Sequence, residues 1–69
     1  MNERLANRVR EEREARGWTQ AALAERIGVS RKTVNTIENL VFSPSALLAL
    51  KFAEAFEHPV ETIFWIERD

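Results

Sequence analysis

Apolar residues recur along this chain at helical spacing, in short stretches that polar turn residues interrupt. The pattern predicts a first helix over about residues 7–16, with Asn7 as its N-cap and Gly17 as its stop. Residues 2–6 ahead of it fit either a strand or an extension of that helix. A second helix is expected over residues 20–27, capped by Thr19 and ended by Gly28, with Leu23, Ala24 and Ile27 on one face. Ser30 caps a third, residues 31–39, in which Val34 and Ile37 form the apolar side and Val29 precedes it. Only Gly28 and Val29 stand between the second helix and the cap of the third, so the two must meet at a sharp angle, as in a helix-turn-helix.

Beyond this pair, Ser43-Pro44-Ser45 combines turn and start signals for a fourth helix over about residues 46–57, which His58-Pro59 breaks. Residues 60–64 fit one more helical turn. The closing Ile63-Phe64-Trp65-Ile66 run suits a strand as well as a helix. The whole chain, 1–69, is expected to form a single domain.

The third helix carries the chemistry. Opposite Val34 and Ile37 stand Lys32, Asn35, Thr36 and Asn39, with Arg31 reaching round from the first turn. These are donors, hydroxyls and amides, the groups that base edges and phosphates of a major groove engage, and no carboxylate interrupts them. For an isolated helix the plainer alternative is a solvated face. Charge distribution supports the first reading. Residues 1–32 hold eight Lys and Arg against five Glu, whereas residues 33–69 hold two against six acidic groups, so a net charge of −1 conceals one basic half.

The spacing Thr19-Gln20, Leu23-Ala24, Gly28-Val29-Ser30, Val34 and Ile37-Glu38 resembles the Cro/cI-type (XRE-like) helix-turn-helix family, and the likeness runs from about residue 7 to 65 through Ser43-Pro44-Ser45. It implies an all-α, five-helix lambda-repressor-like domain. It also implies a sequence-specific transcription regulator, a repressor that binds double-stranded DNA at a pseudo-palindromic operator as a homodimer. On this likeness Gln20 and Asn39 hold phosphates, while Arg31, Lys32, Thr33, Asn35 and Thr36 face bases. Residue chemistry alone lets Arg31 clasp guanine and Asn35 pair with adenine. Glu12 and Leu40 depart from the family pattern, where an apolar residue and a glycine are usual, so the packing of helix 1 and the exit from helix 3 are expected to differ. Contacts over residues 40–43 are the least transferable.

Arg13 stands four residues after Val9, and Glu38 four after Val34, which places opposite charges on inward faces. Unpaired buried charge is very costly, so the two are expected to form a structural ion pair; the family likeness implies the same pair. Helix 4 is apolar nearly all round and therefore has two surfaces to cover. Leu47 on its outer side, with Ile63, Phe64, Trp65 and Ile66, is assigned to the interface with a second copy. The Ile-Phe-Trp ending also resembles the small cytolysin-repressor-like branch, whose members dimerise and add a short terminal antiparallel sheet. Residues 2–6 would be its second strand.

Composition narrows the remaining classes. A 69-residue chain has too little interior to be robust alone and, lacking cysteine, gains no disulfide, which leaves self-association as support. One histidine and no thiolate do not make a zinc site, and no catalytic residue, metal or cofactor is expected. No apolar run approaches the length of a membrane span, so no membrane partner is expected and the protein is expected to be cytoplasmic and nucleoid-associated. An antitoxin that acts mainly by covering a toxin partner shares these features and remains the alternative.

Overall fold

Side-chain caps set the helix boundaries. In the computed structural model, which describes residues 2–41 and 43–69, Thr19 Oγ1 accepts from Ala22 N at 3.0 Å and starts α2 (Gln20–Ile27). Ser30 Oγ accepts from Thr33 N at 3.1 Å and starts α3 (Arg31–Glu38), and Ser45 Oγ accepts from Leu48 N at 3.1 Å and starts α4 (Ala46–Phe56). Each bond satisfies an amide that the first helical turn leaves unpaired. Between α2 and α3, Gly28 takes a φ of +76°, left-handed geometry that is nearly free only for glycine. The expected α2 bounds hold, and α3 ends one residue early because Asn39 serves as its C-cap.

The first helix differs from expectation. Residues 3–7 form a strand, β1 (Glu3–Asn7), so α1 begins at Val9 and runs only to Ala15. Asn7 still serves the helix from within the strand, since its Oδ1 accepts from Val9 N at 3.0 Å. The partner of β1 is β2 (Phe64–Arg68), which follows a single helical turn, α5 (Val60–Ile63). The two strands are antiparallel, with Glu3 opposite Arg68 and Asn7 opposite Phe64. The terminal run is thus a strand from Phe64 on, Ile63 closing α5, and residues 3–6 of the 2–6 segment contribute most of its mate. Cross-strand pairs Arg4–Glu67 and Glu3–Arg68, both at 2.9 Å, are half exposed and contribute little beyond register.

The core lies where α2, α3, α4 and α5 converge, around Leu23, Val34, Ile37, Phe52, Phe56 and Ile63. Ile63 is fully buried and Phe64 is 6% exposed, its ring 5.8 Å from that of Phe52. Both therefore leave the set of side chains assigned to a second copy. Phe64, the first residue of β2, follows directly on the buried end of α5 and is turned inward against Phe52. Leu47 (66% exposed) and Ile66 (53%) stay on the surface, with Trp65 half buried under the Arg8 guanidinium.

The two family departures have visible consequences. Glu12 accepts from Arg16 Nη1 at 2.8 Å and lies 3.5 Å from His58 Nε2, so polar contacts replace apolar packing where α1 meets the end of α4. Leu40 takes a φ of +59°, the conformation a glycine would take there, while Val41 N donates to Thr36 O at 2.9 Å. Phe42, within the segment expected to transfer least, lies outside the described residues, as does Met1. Among the described residues no helix is long and apolar enough to cross a membrane.

Candidate nucleic-acid interface

Helix α3 is held from behind and open in front. Val34 is fully buried, Ile37 is 1% exposed, and Glu38 is buried with them, whereas Arg31, Lys32, Asn35 and Asn39 are exposed. Thr33 and Thr36 are half buried on the flank. Among the described residues neither Arg31 nor Lys32 has an ion-pair partner, so both charges are available to an anion. Thr33 Oγ1 shares a 3.0 Å hydrogen bond with Ser30 Oγ, and Thr36 Oγ1 donates to Thr33 O at 2.9 Å. The Thr36 hydroxyl proton is thereby committed, and what it offers outward is an acceptor. Neither α2 nor α3 carries an acidic residue in its first turn, which leaves the positive end of each helix dipole uncompensated.

The expected ion pair is present and bidentate. Arg13 Nε donates to Glu38 Oε2 at 2.7 Å and Arg13 Nη2 to Glu38 Oε1 at 3.2 Å. Arg13 Nη1 also donates to Trp18 O at 2.9 Å, so the guanidinium fixes the chain between α1 and α2 as well. Burial alone would push the Glu38 carboxyl up. Hydrogen bonds from Arg13 and Gln20, the charge of Arg13 and a bond from Arg10 outweigh it and hold the group below the usual carboxylate range. The same hydrogen bond raises Arg13.

From Glu38 a closed ring of hydrogen bonds leads to the surface. Gln20 Nε2 donates to Glu38 Oε1 at 3.1 Å and to Asn35 Oδ1 at 3.2 Å. Asn39 Nδ2 donates to the same Asn35 Oδ1 at 3.0 Å, and Asn39 Oδ1 accepts from Arg10 Nη2 at 2.9 Å. Arg10 Nε returns to Glu38 Oε1 at 3.3 Å. The ring joins the buried pair to three of the expected DNA-facing residues, Gln20, Asn35 and Asn39. It also shows that both side-chain protons of Gln20 are committed inside the protein, which leaves the amides at the start of α2 as the donors facing outward there.

Arg10 was not singled out from the sequence. A signal existed: it lies three residues before Arg13, on the neighbouring face of α1, where a second cation can reach the same carboxylate.

A helix-turn-helix family model matches residues 9–62, from the first residue of α1 into α5. A protein of Bacillus subtilis (strain 168), named an uncharacterized HTH-type transcriptional regulator, is 43% identical over 65 residues, 94% of this chain and 98% of its own. One of the same description from Methanothermobacter thermautotrophicus is 44% identical over 63 residues, covering 88% of this chain and 90% of that one. A protein of Escherichia coli O6:H1 named antitoxin HipB is more distant, 34% identical over 53 residues, 77% of this chain and 56% of its own. With an open, donor-rich α3 seated on α2 and a match over most of its length, the chain belongs to the XRE-type helix-turn-helix family of DNA-binding transcription regulators.

Proposed function

We propose that the protein represses transcription from the cytoplasm by binding a pseudo-palindromic operator as a homodimer, one α3 in the major groove of each half-site. The observation that carries this reading is the division of α3 between a buried face anchored by Glu38 and an exposed face of Arg31, Lys32 and Asn35 without a carboxylate. Arg31, Lys32, Thr33, Asn35 and Thr36 are then the base-facing set. Phosphates are met at the start of α2, beside Gln20, and at Asn39 near the end of α3. Such contacts position the protein, and base contacts give it a sequence. The function requires no catalysis, metal or cofactor.

A second copy is supported by the apolar surface that remains after folding, which includes Leu47 and Leu50 of α4 and Ile66 of β2, each more than half exposed. The β1–β2 pair supports a likeness to the small cytolysin-repressor-like branch. In this reading one domain combines DNA binding and pairing. The likeness to a protein named an antitoxin favours a second reading, in which the same surface covers a toxin and DNA binding is secondary.

Selection from a random duplex pool tests the proposal. Enrichment of an inverted repeat by the intact protein is expected. Arg31→Ala and Lys32→Ala should each relax one position per half-site at a cost of roughly 1–3 kcal/mol. Failure to enrich any sequence, together with recovery of a toxin in an affinity pull-down, would favour the antitoxin.

A further inference from the structure

We infer that Asn35 meets DNA with its amino group alone and so selects guanine, and that Arg10 and Glu38 set this polarity from behind the recognition face; the inference rests on α3 being the reader.

An amide is nearly symmetric in shape but not in chemistry, since its oxygen only accepts and its nitrogen only donates. A carboxylate in the ring, Glu38, accepts only, so Gln20 turns its Nε2 toward it and gives that nitrogen's second proton to Asn35. At the other end stands a guanidinium, which donates only. Asn39 therefore turns its Oδ1 to Arg10 and keeps Nδ2 for Asn35. Asn35 is met by two donors, at 3.2 and 3.0 Å, and both lone pairs of its Oδ1 are spent on them. Turning the Asn35 amide over would set N–H against N–H twice. What the exposed residue shows to the solvent is its Nδ2, whose two protons have no acceptor among the described residues.

In the major groove guanine offers two neighbouring acceptors, O6 and N7, and thymine one. Adenine sets an acceptor beside a donor, and cytosine offers a donor. Two free protons fit guanine best and thymine next. The adenine pairing expected from residue type alone needs the Asn35 oxygen, which the ring has consumed. Arg10 and Glu38 thus act as positioning residues that choose the base through Asn39 and Gln20.

The test is site selection from a random duplex pool at fixed salt with the intact chain and with Asn35→Ala, Asn35→Asp, Arg10→Leu and Arg10→Lys, each checked for folding by circular dichroism. Asn35→Ala should erase the preference at one position per half-site. At that position the intact protein should favour guanine over adenine by at least about fivefold, the factor one good base contact supplies. Asn35→Asp keeps both inward bonds but shows an acceptor outward, so the preference should move to cytosine or adenine. Arg10→Leu frees Asn39 to turn and should relax the guanine preference at that position alone, whereas Arg10→Lys, still a donor only, should retain it. Selection of adenine or cytosine at the position that depends on Asn35 would overturn the inference, as would an operator in which no position depends on Asn35. If the intact chain enriched no sequence, the DNA-reading function would fail first and the inference with it.

Discussion

Gln20 Nε2 stands 3.1 Å from Glu38 Oε1, so the first residue of α2 and the last residue of α3 share one buried carboxylate. The angle of the helix-turn-helix is thus held by a polar bond as well as by the contact of Leu23 and Ala24 with Val34 and Ile37 in the core. Glu38 has a fully buried side chain and takes bonds from Arg10, Arg13 and Gln20, while Arg13 is 12% exposed.

Removing one member of the central pair leaves the other charged and buried. Glu38→Gln or Arg13→Met alone should destabilise the fold by about 3–5 kcal/mol. Arg13→Met should fall at the lower end, because Arg10 and Gln20 still reach Glu38. The double variant Arg13→Met/Glu38→Gln should cost less than the two single losses combined. Urea denaturation of the three variants is the check, and small, additive effects would show two independent solvated charges.

Acid should act through the same group. The Glu38 carboxyl is held below its ordinary value of 4.5, so the folded protein binds that proton more weakly than the unfolded chain does. The stability it contributes is complete above pH 4.5 and is lost as pH falls from there through the lowered folded value. Thermal unfolding across this range should show a steep acid limb in the parent protein and a shallower one in Glu38→Gln. Glu12, lowered chiefly by its hydrogen bond to Arg16, supplies a residual slope in both. Equal slopes would remove Glu38 from the account.

At the exit of α3, Leu40 pays for a φ of +59° that glycine adopts freely. A left-handed residue with a Cβ is strained by roughly 1–2 kcal/mol, and the extra freedom of an unfolded glycine returns about half of that. Leu40→Gly should therefore stabilise the protein by up to about 1 kcal/mol in equilibrium denaturation, since the exposed leucine gives up little packing. A loss of stability would show that the Leu40 side chain is covered in solution.

What was legible in the sequence was local. Thr19, Gly28 and Ser30 announce the ends of α2 and α3 by their own chemistry, and the observed bounds follow them to within a residue. Glu38 and Arg13 could be paired because each breaks an apolar stripe. The start of α1 was misplaced because Asn7, a good cap, belongs to a strand whose partner lies at the other end of the chain. Ile63 and Phe64 looked like an outward apolar ending for the same reason, since α5 turns them into the core. The ring through Arg10, Gln20, Asn35 and Asn39 was hidden because it joins three helices across sequence separations of up to 29 residues. No periodicity reports that.

The burial of Ile63 and Phe64 also decides how pairing should be tested, because truncation ahead of them would destroy the core itself. Exposed positions are the clean probes. Leu47→Glu combined with Ile66→Asp should leave the helical signal intact, while sedimentation shifts from twice the chain mass of 8.0 kDa to that mass. Affinity for a full operator should fall with it. A parent protein that sediments as a monomer with full affinity would exclude the symmetric dimer.

The most direct test of α3 as the reader uses the absence of cysteine from the chain, which makes Lys32→Cys a unique attachment point for an iron-chelate cleaving reagent. On a duplex enriched by the parent protein, the labelled protein should cut in two symmetric clusters. Their centres should lie one helical turn apart, about 10–10.5 base pairs, and open onto the major groove. Cleavage spread evenly along the duplex, or confined to the minor groove, by a labelled protein that still protects the operator from nuclease would contradict the assignment of α3 to the operator.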